Sequence, residues 1–224
     1  MTIEDDRRRW HAYYTEKRIV HQWFQVHLLK DLDVDRVLEV GPFLGLVSAL
    51  LANAGYQVTT LDITHEPPGP GIAKHIHTDV REVRPEQLAG HDVILCCETL
   101  EHIPWDDAGE TLSRFSASGV PWLIVSVPYE GFQFGFSLYV NRFLWRKRTF
   151  LKKLHFLSEF PDGPEDDWES HKWEIGYKGY SVRRWRDMVT GAGYEIVGQD
   201  FTSGCRSIFL IARNTSTAGT GTQG

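Results

Sequence analysis

The segment VLEVGPFLG at residues 37–45 decides the fold, because a short apolar run ends in glycine there and a helix-forming segment follows. Residues 46–54 have the composition of a helix, and Gly55 follows where a capping glycine belongs. Glycine at such a turn lets a ligand approach the backbone, and the N-terminus of the helix offers N–H groups that have no partner within the helix. The segment therefore predicts a site for an anion or a nucleotide.

The rest of the chain repeats this alternation of strand and helix. Short apolar runs predict further strands at residues 57–63, 72–78, 91–97, 122–127, 194–201 and 207–212. Helical segments separate most of these runs, which is the pattern of βαβ units in a parallel sheet. An amphipathic helix is predicted within residues 1–30, where packing on the body of the domain is favoured over contact with a substrate. Residues 1–213 are therefore predicted to form one α/β domain.

The spacing of glycines after the first strand separates two kinds of nucleotide site. A dinucleotide fingerprint, G-x-G-x-x-G, needs glycine at positions 41, 43 and 46, and only Gly41 fits. An acid followed by G-x-G-x-G needs glycine at positions 41, 43 and 45. Gly41, Gly45 and the acid Glu39 fit this second pattern, with Phe43 in place of the middle glycine. The second pattern is the better match.

Acidic residues also follow the next three strands. Asp62 stands about 20 residues after Gly41, where a carboxylate can accept hydrogen bonds from ribose hydroxyls; the alternative is a surface aspartate at a strand end. Asp79 can accept from an adenine amino group, or can cap the short helix that follows. Cys97 and Glu98 end the fourth strand, at the crevice where parallel sheets bind ligands.

Taken together, VLEVG, TLDI, TDV and DVILCCETLEHIP stand in an order and spacing that resemble the class I S-adenosylmethionine-dependent methyltransferase family, in its small-molecule branch. The resemblance covers residues 37–127, with a weaker continuation to residue 212. It implies a Rossmann-like, doubly wound, mostly parallel seven-stranded sheet whose last strand is antiparallel. It also implies S-adenosylmethionine as cofactor and methyl transfer to an oxygen or nitrogen of a small-molecule acceptor.

The resemblance also assigns roles to residues around the cofactor. Glu39, Gly41 and Gly45 are expected at its methionine end, Asp62 at the ribose, and Asp79 with the next residue at the adenine. The complete set that it assigns is Glu39, Gly41, Phe43, Gly45, Asp62, Asp79, Val80 and Cys97. Phe43 departs from the glycine that the family usually has there, and this departure leaves a non-catalytic methyltransferase-like scaffold as an alternative.

The family resemblance does not identify a catalytic base. Methyl transfer from a sulfonium is an in-line displacement, so the protein mainly holds the acceptor in line, and a base is needed only if the acceptor must lose a proton. Residues expected on the crevice side are Glu98, Tyr129 and His171. A purely structural role is the alternative for each, and residues 101–102 are predicted to be structural.

Residues 130–176 form an insertion after the fifth strand that is rich in aromatic and basic residues. The spacing of its apolar residues predicts helix, and the favoured function is a lid over the substrate. The alternatives are an interfacial helix on anionic lipid, an RNA-contacting face and a plain solvated surface. The acidic run at residues 162–169 weakens both interpretations that involve an anionic partner.

Composition limits the remaining possibilities. The net charge of −6 argues against a general nucleic-acid binder. Three cysteines without framework spacing suit a reducing compartment, and no metal-ligand spacing is evident, so no metal is expected. The charged N-terminus lacks the apolar core of a secretory signal, and a cytoplasmic location is predicted. Residues 214–224 are predicted to be a disordered tail.

Overall fold

The computed structural model describes residues 3–69, 71–152, 158–161, 167–202 and 207–217. Its α-helices are α1 (Ile3–Tyr13), α2 (Glu16–His27), α3 (Leu46–Asn53), α4 (Pro85–Leu88), α5 (Trp105–Ala117) and α6 (Val182–Gly191). Its strands are β1 (Arg36–Val40), β2 (Gln57–Asp62), β3 (Ile72–His77), β4 (Val93–Cys97), β5 (Trp122–Pro128), β6 (Gln133–Val140), β7 (Trp145–Lys152), β8 (Tyr194–Phe201) and β9 (Ser207–Asn214).

Seven strands form one sheet in the order β3-β2-β1-β4-β5-β9-β8. The first five strands pair in parallel, and β9 is antiparallel to both of its neighbours. The predicted fold, with its antiparallel last strand, is confirmed. The central strand β4 (VILCC) is buried along its whole length. Its continuous apolar sequence fits this position, because a strand that is covered on both faces has no side open to water.

Helices cover both faces of the sheet. Successive residues of β1 point to opposite faces, so that Leu38 joins one apolar cluster and Val37 joins the other. The cluster of Leu38 contains side chains of α5 and α6, among them Phe115 and Trp185. The cluster of Val37 contains side chains of α3, and α2 packs against it. Among the helices of the described ranges, none is long and apolar enough to cross a bilayer.

The N-terminal segment forms two helices rather than the single predicted one. The chain bends at Tyr14 and Thr15, and the side chain of Thr15 caps α2 by accepting a hydrogen bond from Arg18 N at 3.4 Å. A threonine at this position competes with the continuing helix for the backbone N–H groups, which explains the break. The expected packing of this segment on the body holds for α2, which buries His21 and Gln25.

The prediction of a helical insertion was wrong, because β6 and β7 form an antiparallel hairpin. Apolar side chains at positions 134, 136, 138 and 140 alternate with a period of two, which is the period of a strand. The apolar spacings of three to seven residues that suggested a helix include four-residue steps, and these fit both periods. Asn141 starts the turn, and its side-chain oxygen accepts from the N–H groups of Phe143 and Leu144, each at 2.8 Å.

The predicted start of the disordered tail was also wrong. Asn214 is the last residue of β9, is fully buried, and donates hydrogen bonds to the carbonyls of Ser116 at 2.7 Å and Val120 at 3.1 Å. Thr215–Thr217 form a 3-10 turn. A buried asparagine that satisfies two carbonyls cannot be distinguished from a polar tail residue by composition. Residues 218–224 lie outside the described residues.

Candidate functional site

A cavity of about 1620 Å³ lies at the carboxyl ends of β1, β2 and β4, where the strand order reverses. Its lining includes Glu39, Asp62 and Cys97, each from the end of a different strand. Sites for single drug-sized ligands occupy roughly 300–1,000 Å³. The cavity therefore has room for a nucleotide-sized molecule and a second, smaller molecule beside it.

Glu39 places a carboxyl group in the cavity wall from the carboxyl end of the buried strand β1. It is 4% exposed, and Ser48 Oγ, from α3, donates a hydrogen bond to Glu39 Oε2. Burial, with a smaller contribution from the nearby carboxylate of Asp62, raises the pKa of Glu39 to about 7. A positively charged group beside Glu39 would favour its ionised form. The ammonium and sulfonium groups of S-adenosylmethionine supply such charge, so this acid fits the predicted cofactor.

The turn after β1 requires glycine at position 41 because the loop after β4 packs directly against it. Gly41 has a φ of +70°, and a Cβ atom there would lie 2.4 Å from Thr99 Oγ1. Thr99 Oγ1 donates to the carbonyls of Val40 at 3.1 Å and Cys97 at 3.2 Å. These bonds hold the loops after β1 and β4 together at the floor of the cavity.

Phe43 and Gly45 both have left-handed backbone conformations, with φ of 52° and 75°. The ring of Phe43 packs against Tyr13 with centroids 4.6 Å apart, and the guanidinium of Arg9 lies 5.0 Å from it. Phe43 therefore meets α1 at the cavity wall while keeping the backbone shape that a glycine would adopt.

A Cβ atom on Gly45 would lie 2.8 Å from Pro68 O, so loop packing requires this glycine. Gly45 is not among the described residues that line the cavity.

The acids after β2 and β3 both line the cavity, and both also make local bonds. Asp62 Oδ1 accepts from Thr64 N at 2.9 Å. Asp79 caps the 3-10 turn that begins at Val80, accepting from Arg81 N at 2.8 Å, and its other oxygen pairs with the Arg81 guanidinium at 2.6 Å. Arg81 lowers the pKa of the Asp79 carboxyl. The contacts of Asp79 are thus those of a cap, on the wall of the cavity beside Val80.

Cys97 and Glu98 reach the cavity at the end of β4, as the sequence predicts. Burial raises the pKa of the Cys97 thiol well above its usual value, so the side chain is a neutral, apolar part of the wall. Glu98 has a left-handed backbone with φ of 54°, and Ser126 Oγ donates to its Oε1 at 2.8 Å. A non-glycine residue in this conformation costs about 1–3 kcal/mol and is most often kept at functional sites.

Side chains of the two N-terminal helices form a wall of the cavity that the sequence did not predict. Tyr14 accepts from Leu46 N at 3.3 Å through its hydroxyl oxygen, which ties the bend to the start of α3. The Arg18 guanidinium lies 4.0 Å from the centre of the Tyr13 ring. His21 is buried, its Nδ1 lies 3.4 Å from Thr202 Oγ1, and burial lowers its pKa. The aromatic and basic residues of this segment were the only sequence signal for a role in the cavity. Packing of the helix on the body of the domain explained the same residues equally well.

His171 also lines the cavity, which is where a residue acting on the acceptor must lie. The chain returns to the core after the hairpin through Trp173, whose Nε1 donates to Ile103 O at 2.9 Å. His171 Nδ1 bonds Glu174 Oε1 at 2.8 Å. Tyr129 instead packs against Phe201 with ring centroids 5.3 Å apart and is not among the described lining residues. The hairpin likewise contributes no residue to the described lining, so its role as a lid stays a prediction.

Glu101 and His102 were predicted to be structural, yet both line the same cavity. They lie on the 3-10 turn Leu100–His102 that follows β4. The ring of His102 stands perpendicular to that of His171, with centroids 4.8 Å apart. Burial lowers the pKa of His102 to about 4, so its imidazole is neutral. Glu101 and His102 lie far from His171 in the sequence, and only tertiary folding brings them together. The spacing of residues along the chain could therefore not predict this contact.

Several known proteins resemble the chain over part of their sequence. The ubiquinone biosynthesis O-methyltransferase of Bordetella parapertussis is 37% identical over 78 residues, which cover 31% of this chain and 32% of that protein. The enzyme of the same name from Xanthomonas oryzae pv. oryzae is 35% identical over 83 residues, covering 33% of this chain and 35% of that protein. The matches thus span about a third of the length of these relatives.

Solved structures share the fold over most of the chain. Magnesium protoporphyrin IX methyltransferase from Synechocystis PCC 6803 aligns with a TM-score of 0.57 at 18% identity, over 94% of this chain and 93% of that one. The 1,6-didemethyltoxoflavin-N1-methyltransferase of Burkholderia thailandensis aligns with a TM-score of 0.55 at 19% identity, over 95% and 83%. A family model described as a methyltransferase domain matches residues 10–199. The chain therefore belongs to the class I S-adenosylmethionine-dependent methyltransferase family.

Proposed function

We propose that the chain transfers the methyl group of S-adenosylmethionine to an oxygen or nitrogen of a small-molecule acceptor. The observation that carries this proposal is a single cavity that joins acids at the strand ends to a wall of aromatic and imidazole side chains. The acids at the strand ends suit a cationic nucleoside cofactor, and the aromatic and imidazole side chains suit an acceptor beside it. The relatives named O-methyltransferases favour oxygen as the accepting atom.

The cofactor half of the cavity is formed by the ends of the first three strands and by the residues that follow them. In this proposal Glu39 faces the cationic methionine end of the cofactor, and Asp62 accepts hydrogen bonds from the ribose hydroxyls. Asp79 and Val80 border the space expected for the adenine. When bound, S-adenosylmethionine supplies an electrophilic methyl group on a sulfonium, and transfer leaves a neutral thioether.

The acceptor half is formed by residues from three separate segments. Arg18 and His21 come from α2, Glu98 from the end of β4, and His171 from the segment after the hairpin. Because an in-line displacement depends on alignment, these groups act by holding the acceptor oxygen or nitrogen toward the methyl carbon. We place His171 closest to this task, since its ring is fixed by Glu174 and exposed to the cavity.

Asp62→Ala is expected to weaken the binding of S-adenosylhomocysteine about tenfold or more. Loss of hydrogen bonds to a charged group costs roughly 1.5–3 kcal/mol. Isothermal calorimetry measures the change, with Asp31→Ala as control, because the Asp31 side chain is 83% exposed. Wild-type affinity in a folded Asp62→Ala protein would show that Asp62 does not hold the ribose. NAD is expected to give no binding heat.

His171→Ala is expected to reduce turnover about 100-fold or more while leaving cofactor affinity unchanged, because the acceptor loses its alignment. Formation of S-adenosylhomocysteine from S-adenosylmethionine, with a panel of phenols and amines as acceptors, measures turnover. His91→Ala serves as a histidine control, since His91 is not among the described residues that line the cavity. A role limited to structure predicts a different result. Thermal stability would then fall, and activity would decrease only in proportion to the folded fraction.

The hairpin favours a second candidate function, a peripheral methyltransferase that acts on an acceptor held at a membrane. Residues 133–152 contain five basic and no acidic residues, against a net charge of −6 for the whole chain. One hairpin face is mainly apolar, with Lys147 and Thr149 as its polar members. Its exposed apolar side chains are Phe134, Phe136, Leu138, Val140, Trp145 and Leu151. The opposite face pairs Tyr139 with Arg146 and Ser137 with Arg148. An apolar face, a basic face and the 89% exposed Phe143 at the tip suit an anionic lipid surface.

Vesicle flotation tests this second candidate. The protein is expected to float with vesicles that contain phosphatidylglycerol and to remain behind with pure phosphatidylcholine. Phe143→Glu is expected to reduce flotation several-fold, because a charge at the tip opposes insertion. Val197→Glu, at a half-exposed position on β8, is the matched control. No flotation of the wild-type protein at physiological salt would eliminate the peripheral candidate and leave the main proposal intact.

A further inference from the structure

Glu101, His102 and His171 form a compact group of metal-ligating side chains in the cavity wall. One potential ligand atom from each of the three lies within 4.8 Å of the other two. Imidazole nitrogens and carboxylate oxygens lie about 2.0–2.2 Å from a bound zinc ion, so two ligands of one ion are at most about 4.4 Å apart. Small side-chain adjustments therefore bring all three groups into the coordination sphere of a single ion.

Each of the two histidines forms its hydrogen bonds through one ring nitrogen, so that the other nitrogen is available to an ion. His171 Nδ1 is bound to Glu174 Oε1, which leaves Nε2 for an ion. His102 Nδ1 is buried and has no hydrogen-bond partner among the described residues, while the ring bonds the backbone of Trp168 and Ser170 through its other nitrogen. Histidines that bind metals characteristically use the second nitrogen in this way, since a carboxylate or carbonyl then fixes the ring and its tautomer.

The backbone fixes this group before any ligand arrives. Glu101 and His102 share one short turn after β4, and Lys172 N donates to Glu101 O at 2.7 Å. The Trp173 indole donates a hydrogen bond to the carbonyl of Ile103, the residue directly after this turn. These two hydrogen bonds hold the segment of His171 against the turn. Two distant segments of the chain are thereby locked together at the positions that supply the three ligands.

We propose that Glu101, His102 and His171 bind a divalent transition-metal ion in the cavity wall. Two imidazoles and one carboxylate are a ligand set for zinc and its neighbours, and three protein ligands leave at least one coordination position open. All three residues line the cavity, so the open position faces it. If the proposed function is correct, an ion there binds and polarises an oxygen of the acceptor. The site itself does not depend on that function.

Calorimetry with Zn²⁺ alone, without cofactor or acceptor, tests the site separately from the methyltransferase proposal. We expect one ion per chain with a dissociation constant at or below about 1 µM. His171→Ala and Glu101→Gln are each expected to weaken binding at least tenfold, because losing even a group that only hydrogen-bonds a metal ligand costs about 10–100-fold in affinity. Circular dichroism checks that each variant folds, and either variant alone suffices for the comparison.

The matched control is His77→Ala. His77 and His65 are exposed, and their ring centroids are 3.7 Å apart, so they are an alternative place for adventitious zinc. Unchanged binding in His77→Ala, together with loss in the two cluster variants, supports the site. Loss in His77→Ala alone, or no binding by the wild-type protein, overturns it. Anomalous diffraction from a Zn²⁺-soaked crystal decides the case if neither cluster variant folds, since the ion must lie beside His102 and His171.

Discussion

The contact between Gly41 and Thr99 is the constraint on which the site depends. A side chain at position 41 would collide with the Thr99 hydroxyl, and that hydroxyl is bonded to the carbonyls of Val40 and Cys97. The two loops that leave β1 and β4 are therefore fixed to each other at the point where the strand order reverses. Glu39 and Glu98 lie beside this junction, and the positions of both depend on it.

Around this junction the chain separates two chemical environments within one cavity. Acids at the ends of the first three strands make one side suitable for a cationic ligand, and the raised pKa of Glu39 reflects how completely that carboxyl is removed from water. Other parts of the lining come from the bend between α1 and α2 and from the segment around His171. Bringing these two segments over the strand ends is what turns an open crevice into a cavity that can hold two molecules.

The sheet was predictable because its signals are local. The continuous apolar run of β4 and the strand-glycine-helix segment at residues 37–45 each indicate a buried parallel strand without reference to the rest of the chain. The strand-end residues Glu39, Asp62 and Cys97 line one cavity, as expected, since the ends of parallel strands meet at one edge. The family and its cofactor, S-adenosylmethionine, were therefore correctly predicted from residues that lie close to these strand ends.

The remaining features depend on contacts that a linear pattern does not encode. Phe136 and Val140 stand four residues apart, which suits a helix and a strand equally, and the turn at Asn141 resolves the choice. Asn214 has the composition of a tail residue, and only the folded structure shows that its side chain donates hydrogen bonds to two backbone carbonyls. His102 and His171 are distant in sequence, and only the folded chain brings their rings together.

A crystal structure with S-adenosylhomocysteine shows whether the strand ends hold the cofactor. We expect the ligand at the carboxyl ends of β1, β2 and β4, with its ribose hydroxyls about 2.5–3.0 Å from the Asp62 carboxylate and its amino group beside Glu39. The second half of the cavity, toward His171, should remain open to solvent. A ligand bound elsewhere on the chain, or one whose ribose makes no contact with Asp62, would contradict this placement of the cofactor.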